Sequence, residues 1–397
     1  MTKLRLLLSV FMTGILFFGI LFSSCNSPDL QSVAISKVGV PTLVASSAMN
    51  NKYIVVINED VDQKAINLQT RKDNVISKAQ GILKKHQIPG DLEEVYQSAL
   101  KGFTVRLTPA QVKLLANDNS IKSIEPDAVI SLSPINANGK PTPPAPTQTT
   151  PWGVTRVGGG TTTPTGTAWI IDTGIDLDHP DLNVDLTRSV TFLGAKTTPN
   201  DENGHGSHVS GIIAAKNNSI GVVGVAPGAK LVSVRVLNRS GSGTISGVIA
   251  GVDYVAEKGQ AGDVANMSLG GSASSSLDLA VFNASATVKF VLAAGNETDN
   301  ANNHSPARVN GPNIYTISAM NSSDNWASFS NFGNPPVDYC APGVSIYSTY
   351  KDAGYATLSG TSMAAPHVSG LLLIGALQTS GTVNGDPDGN PDPIAHH

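Results

Sequence analysis

The sequence predicts an α/β protein, a parallel sheet with helices on both faces, preceded by a small α+β domain. Two observations predict it. From Pro151 to about Thr379, short apolar runs alternate with small-residue stretches of helical character, the pattern of buried parallel strands joined by crossover helices. Ahead of them, residues 51–133 read strand, helix, two strands, helix, strand, a ferredoxin-like order. The 397 residues, 40% hydrophobic and 14% charged, suffice for one large core and one small one.

Taken in order, the chain opens with Lys3 and Arg5 before an apolar run from Leu6 to Phe22, then Ser23-Ser24-Cys25. Residues 1–25 therefore read as a secretory signal. The small residues before Cys25 are similar to a bacterial lipoprotein cleavage site, although Phe22 stands where Leu is usual. Lipidation of Cys25 with membrane attachment, plain secretion and an uncleaved anchor are all open, and each exports the protein. Residues 26–50 are polar and small, a tether. In the domain 51–133, Lys52–Ile57 is a strand and Asp62–His86 a helix, followed by strands within Leu92–Ala99 and Gly102–Leu107. Thr108-Pro109-Ala110-Gln111 starts a second helix, with proline at its first position. Ile121–Pro126 and Ala128–Leu132 are expected to close the unit.

Residues 134–147 hold five prolines among Thr and Asn, an extended linker open to cleavage. The domain 148–380 follows. Its buried strands are expected at Ala168–Ile171, Leu231–Val236, Ala265–Leu269, Phe290–Ala293 and Ile314–Ser318, with helices at Ile245–Glu257 and Leu277–Ala286. Residues 381–397 place Asp386, Asp388, Asn390 and Asp392 at alternating positions between prolines. Without a closing bidentate acid this reads as an acidic flexible tail.

Net charge is −4, from +4 over residues 1–147 (15 basic, 11 acidic) and −8 over 148–397 (11 basic, 19 acidic). Opposite signs favour contact between the two parts. No basic run or basic stripe with aromatics occurs, which excludes a nucleic-acid partner. With Cys25 in the targeting segment, Cys340 is left without a disulfide mate and reads as a buried inert thiol. The protein is expected to be a monomer.

Three segments carry chemistry. Gly360-Thr361-Ser362-Met363-Ala364-Ala365-Pro366-His367 delivers a serine to the start of an apolar helix, beside unpaired N–H groups and the positive end of the helix dipole. Ile170-Ile171-Asp172-Thr173-Gly174 puts an acid at a strand end, and Asn203-Gly204-His205-Gly206-Ser207-His208 opens a helix with a histidine. Taken singly, such a serine is often an N-cap, such an acid a turn residue and such a histidine structural. Together, in the order Asp, His, Ser, they resemble the subtilisin-like serine proteases, the subtilase or peptidase S8 family.

The resemblance implies an acyl-enzyme mechanism. Ser362 is the nucleophile, His205 the base and Asp172 its orienting acid. Asn296, at the end of Val291-Leu292-Ala293-Ala294-Gly295-Asn296, matches the family's oxyanion donor. Ser268, Leu269, Gly270 and Gly271 match the segment that pairs with extended substrate, faced by Ala293, Ala294 and Gly295. Leu237 would line the second pocket, and Ile245 with Leu269 the fourth, for a broad apolar preference. A structural calcium (Ca2+) is implied, held by side chains of Gln148, Asp181 and Asn218 and carbonyls of Lys216, Ile220 and Val222, an all-oxygen set. Residues 51–133 resemble the family's propeptide inhibitor, so the chain is expected as an exported, self-processing zymogen acting on protein or peptide substrates. A subtilisin-fold transpeptidase or macrocyclase, or a non-catalytic peptide-binding surface protein, are the alternatives. Family members usually continue well past the serine helix, so the last sheet edge and its cover are expected to be missing.

Overall fold

The computed structural model of the protein describes residues 51–58, 67–132, 136–137, 147–375 and 377–397. The signal, the tether with Cys25 and most of the linker lie outside the described residues.

The small domain is a four-stranded antiparallel sheet. Lys52–Ile57 lies between Gly102–Arg106 and Ile121–Pro126, and Val95–Tyr96 flanks Gly102–Arg106. Alternation decides its two faces. Tyr53, Val55 and Ile57 point toward the helices Leu68–Lys85 and Pro109–Ala116 and form the domain's own core with Phe103 and Val105. Ile54 and Val56 point the other way, into the core of the large domain. The second helix is stabilised by a capping box between Thr108 and Gln111, with Pro109 at its first turn.

The large domain is built on a nine-stranded sheet. Its spatial order is Gln378–Thr382, Pro393–His396, Val337–Pro342, Ile314–Met320, Lys289–Ala293, Val264–Met267, Thr167–Asp172, Lys230–Arg235 and Val190–Thr191. Every pairing is parallel except that of Gln378–Thr382 with Pro393–His396. Helices His205–Ala214 and Thr361–Leu373 join one core, and Ile245–Lys258 and Ser275–Ala284 join the other. Both faces are covered, as strands such as the fully buried Thr167–Asp172 require.

Five expectations need correction. Residues 381–397 are no flexible tail, because Pro393–His396 pairs with Val337–Pro342 and extends the sheet. Asp392 is buried, with hydrogen bonds from Ser318 and Asn334 that offset its desolvation. The sheet edge expected to be missing is thus supplied by the last twenty residues. Ala128–Leu132 does not close the small sheet; its strand Val129–Ser131 crosses to Ser242–Thr244 of the large domain. Within Leu92–Ala99 only Val95–Tyr96 is strand, since the backbone N–H groups of residues 97–99 turn to a carboxylate of the large domain. Finally, the first helix begins at Leu68, with Asn67 as its N-cap.

Contact between the domains runs through carboxylates on backbone N–H groups. Asp253 accepts from Gln97, Ser98 and Ala99 at 2.7 to 3.2 Å. From the small domain, Asp127 accepts from the N–H and hydroxyl of Ser246, and Glu125 from the N–H of Ser276. Asp127 and Glu125 thus stand at the positive ends of helices Ile245–Lys258 and Ser275–Ala284.

Candidate active site

The acid and the base are joined. Asp172 ends a buried strand, and both its oxygens lie 2.9 and 3.0 Å from His205 Nδ1. The N–H of Thr173 donates to Asp172 Oδ1 at 2.6 Å, and Val236 and Leu237 N–H groups hold its main-chain carbonyl. Both side chains are fully buried. This pairing sets the imidazole tautomer, with Nδ1 protonated and Nε2 a hydrogen-bond acceptor. Nε2 is buried and has no partner among the described residues.

Sequence reasoning missed what fixes the start of the histidine helix. Its N-cap is Gly204, which has no side chain to cap with. Asp201, four residues before His205, replaces it. Its carboxylate accepts from the N–H groups of Asn203, Gly204 and Ser207, the Ser207 hydroxyl and the Thr173 hydroxyl. One acid therefore ties the histidine helix to the residue after Asp172. Gly206 is required by close approach, since a Cβ there would lie 2.0 Å from the Gly174 carbonyl.

Ser362 is the second residue of the helix Thr361–Leu373, as expected. Its hydroxyl donates to the Ser268 carbonyl at 3.2 Å, and the Ser268 hydroxyl returns a bond to the Ser362 carbonyl. The Ser362 to His205 hydrogen bond is not formed here. Asn296 Oδ1 accepts from both the N–H and hydroxyl of Thr361, each at 2.8 Å, which places Asn296 next to the serine.

His208 and His367 bond main-chain carbonyls instead. His208 Nε2 bonds the carbonyls of Ile346 and Ala356, and burial lowers its pKa to about 3. His367 Nδ1 bonds the Met363 carbonyl, and burial lowers its pKa to about 4. Burial likewise pushes the Cys340 thiol up, far from a nucleophilic thiolate.

A peptide strand already lies along the expected substrate segment. Val129–Ser131 pairs antiparallel with Ser242–Thr244, and the Leu132 N–H donates to the Gly241 carbonyl. On the other edge, Ser131 and Gly270 exchange two hydrogen bonds at 3.2 and 3.3 Å. Residues 241–244 are the edge that sequence reasoning missed. Leu237, Ile245 and Leu269 are buried in the same apolar cluster as Ile130. Gly271 would meet Ile130 at 3.3 Å if it carried a Cβ. Ala293 and Ala294 lie buried at the end of the strand that leads to Gly295 and Asn296. Past the site, Asn136–Ala137 pairs with Leu358–Ser359, the strand that runs directly into Ser362.

The expected metal ligands also meet. Gln148 Nε2 lies 2.8 to 3.3 Å from four oxygens: the carbonyls of Lys216, Ile220 and Val222 and Asn218 Oδ1. An NH2 group has two hydrogens and cannot satisfy four acceptors, so this ring of oxygens suits a hard cation. Asp181 stands beside the ring, its oxygens taking bonds from Asn218 Nδ2, the Val222 N–H and the Tyr355 hydroxyl. Among the described residues no three His, Cys, Asp or Glu side chains cluster as a metal site.

Residues 169–378 match the Subtilase family, Peptidase S8, and residues 52–133 match Peptidase inhibitor I9. The chain is 36% identical over 342 residues to the subtilisin-like serine protease AsES of Sarocladium strictum, covering 78% of this chain and 83% of that one. It is 35% identical over 346 residues to an alkaline protease of Alkalihalobacillus alcalophilus, covering 85% and 84%. Among solved structures, a cold adapted subtilisin-like serine proteinase aligns at 40% identity with a TM-score of 0.53, covering 62% of this chain and 97% of that one.

Proposed function

The chain belongs to the subtilase family of serine proteases and carries an inhibitor I9 propeptide, and on that premise we propose an exported endopeptidase that works through Ser362, His205 and Asp172 and is made as a self-processing zymogen. Its substrates are extended protein or peptide segments. One observation carries this: the chain's own residues 129–132 lie as a strand between residues 241–244 and Gly270, and residues 136–137 lie on the strand leading into Ser362. A substrate held in that register passes its scissile bond over the serine.

The steps follow from the groups present. Ser362 Oγ turns from the Ser268 carbonyl toward His205 Nε2, which takes its proton as Oγ attacks the scissile carbonyl carbon. Asp172 stabilises the imidazolium without taking the proton. The carbonyl oxygen gains negative charge and receives hydrogen bonds from Asn296 Nδ2 and the Ser362 N–H. The intermediate collapses, the C–N bond breaks, and His205 protonates the departing amine. Water then repeats the sequence on the acyl-enzyme and releases the acid. Ile245 and Leu269 take an apolar side chain at the position of Ile130.

Processing falls between Leu132 and Asn136, where the chain passes from one flank of Ser362 to the other, at the start of the linker. The carbonyls of Lys216, Ile220 and Val222 and the side chains of Asn218, Asp181 and Gln148, the last with its amide turned to present its oxygen, would hold a calcium ion, which would stiffen the loop after the histidine helix. Export rests on residues 1–25, and a lipid on Cys25 is the attachment to the cell envelope. No helix among the described residues is long and apolar enough to cross a membrane.

Intact mass and N-terminal sequencing of the purified full-length chain test the proposal. The wild type is expected to give two fragments with a new terminus between residues 133 and 136, and Ser362→Ala a single uncut chain. A folded wild type that stays whole, or a Ser362→Ala chain cut at the same bond, overturns it.

A further inference from the structure

Asn331 has no part in the chemistry above, yet it is fully buried and every hydrogen-bonding position of its amide is used. Nδ2 donates to the Ala294 carbonyl at 3.0 Å and to Glu297 Oε2 at 2.7 Å. Oδ1 accepts from the N–H groups of Glu297 and Asp299 at 3.0 and 2.9 Å. Its own N–H donates to the Gly295 carbonyl at 3.0 Å. All five bonds end on residues 294–299, the loop that carries Asn296.

That loop does not hold this shape by itself. Gly295 has a φ of +106°, and a Cβ there would lie 2.2 Å from Asn331 Nδ2. Thr298 has a φ of +54°, a region that β-branched residues avoid. It is kept there by bonds from its N–H and hydroxyl to the carbonyls of Phe329 and Ser328. Strained backbone of this kind persists only where neighbours over-determine it. The segment 328–332 does so, and Asn331 is its one side chain inserted beneath the turn. On its other side Asn296 is held by Thr361 through Oδ1.

We propose that Asn331 is the positioning residue of the oxyanion site, holding the 294–299 loop so that Asn296 meets the developing charge. This rests on the reading of Asn296 as oxyanion donor. A donor aimed in advance stabilises the transition state without reorganising, and an ångström of misplacement is costly. Asn296 would meet charge that develops only in the transition state, whereas Ala294 and Gly295 of the same loop would face the substrate in both states, so the oxyanion part of the loss falls on kcat.

The test uses the processed enzyme in four forms: wild type, Asn331→Ala, Asn296→Ala and the double variant, assayed for kcat and KM on a peptide amide. Asn296→Ala is expected to lower kcat about 10²–10³-fold, the range known for this donor in a subtilisin. Asn331→Ala lowers kcat at least about tenfold with KM within about twofold, and changes kcat less than about twofold once Asn296 is already alanine. Asn331→Asp keeps the side-chain shape, loses the Nδ2 donor, and follows the same pattern if the alanine form fails to fold. An Asn331 effect of equal size in both Asn296 backgrounds, or a loss of thermal stability with kcat unchanged, overturns the proposal. A wild-type kcat in Asn296→Ala overturns the donor reading itself, whatever Asn331 does.

Discussion

The two faces of the central sheet use buried acids in opposite ways. On the face covered by helices His205–Ala214 and Thr361–Leu373, Asp172 meets an imidazole and Asp201 the start of a helix, and both position the groups proposed to react. On the face covered by Ile245–Lys258 and Ser275–Ala284, the buried Asp253 and Asp127 and the half-buried Glu125 meet backbone N–H groups and a serine across the domain boundary. A carboxylate meets an imidazole in one place and seats the I9-like domain in the other. The donor it meets decides which.

The comparison breaks most sharply at Asp172. Asp172→Asn, with its linker cut by added wild-type enzyme, is expected to lose about 10⁴-fold in kcat on a peptide amide. The dissociation rate of its cut small domain should stay within about twofold. A parallel loss of both would mean that the two faces are not separable.

Acid sharpens it next, because His208 and His367 both belong to the catalytic face. Burial keeps them neutral in the folded protein, with pKa values of about 3 and about 4. The unfolded chain takes up these protons below about pH 6.5. Their stability contribution is therefore complete above that pH and is lost as pH falls toward the folded values. At about 1.4 kcal/mol per pH unit and group, moving from pH 7.5 to 5 should cost about 4 kcal/mol. Urea unfolding at the two pH values measures this, and equal stabilities would refute it.

On the docking face, Asp253→Ala removes the acceptor of three N–H groups. Bonds to a charged group contribute about 1.5–3 kcal/mol each, so the cut small domain should leave at least about 100-fold faster. Peptide hydrolysis by the released enzyme should be unchanged. A dissociation rate within about threefold of wild type would assign the docking to the apolar cluster alone.

The smallest effect lies outside both faces, at the oxygen ring. Calcium at about 100 times its dissociation constant should add about 2.7 kcal/mol, a rise in Tm of about 5–10 °C for a domain of this size. Gln148→Ala should reduce that rise by about half, read by thermal unfolding with calcium and with a chelator. A Tm indifferent to calcium in the wild type would remove the metal from the account.

Much of the site was legible because its residues sit at element ends. Asp172 closes an apolar run, His205 follows a glycine, and Ser362 follows Gly360-Thr361, so each could be placed before any contact was known. Asp201 and Asn331 were not legible. An acid or amide in a polar stretch looks like any turn residue until its partners, up to 37 residues away for Asn331 and Ala294, are brought together. The C-terminus misled for a related reason. Asp386, Asp388 and Asp392 among prolines resemble a solvated tail, whereas Ser318 and Asn334 offer buried partners that no local pattern announces.

By itself, then, the sequence determined the order of the small and large domains, the parallel sheet with helices on both faces, and that an acid, a histidine, a serine and an amide stand at element ends, because periodicity and motif spacing are local properties. Only the tertiary structure decided where Val129–Ser131 pairs, which acids cap and which orient, and that the serine hydroxyl rests on Ser268 with His205 Nε2 unpartnered among the described residues. Those outcomes depend on which buried donors and acceptors find each other across distant parts of the chain.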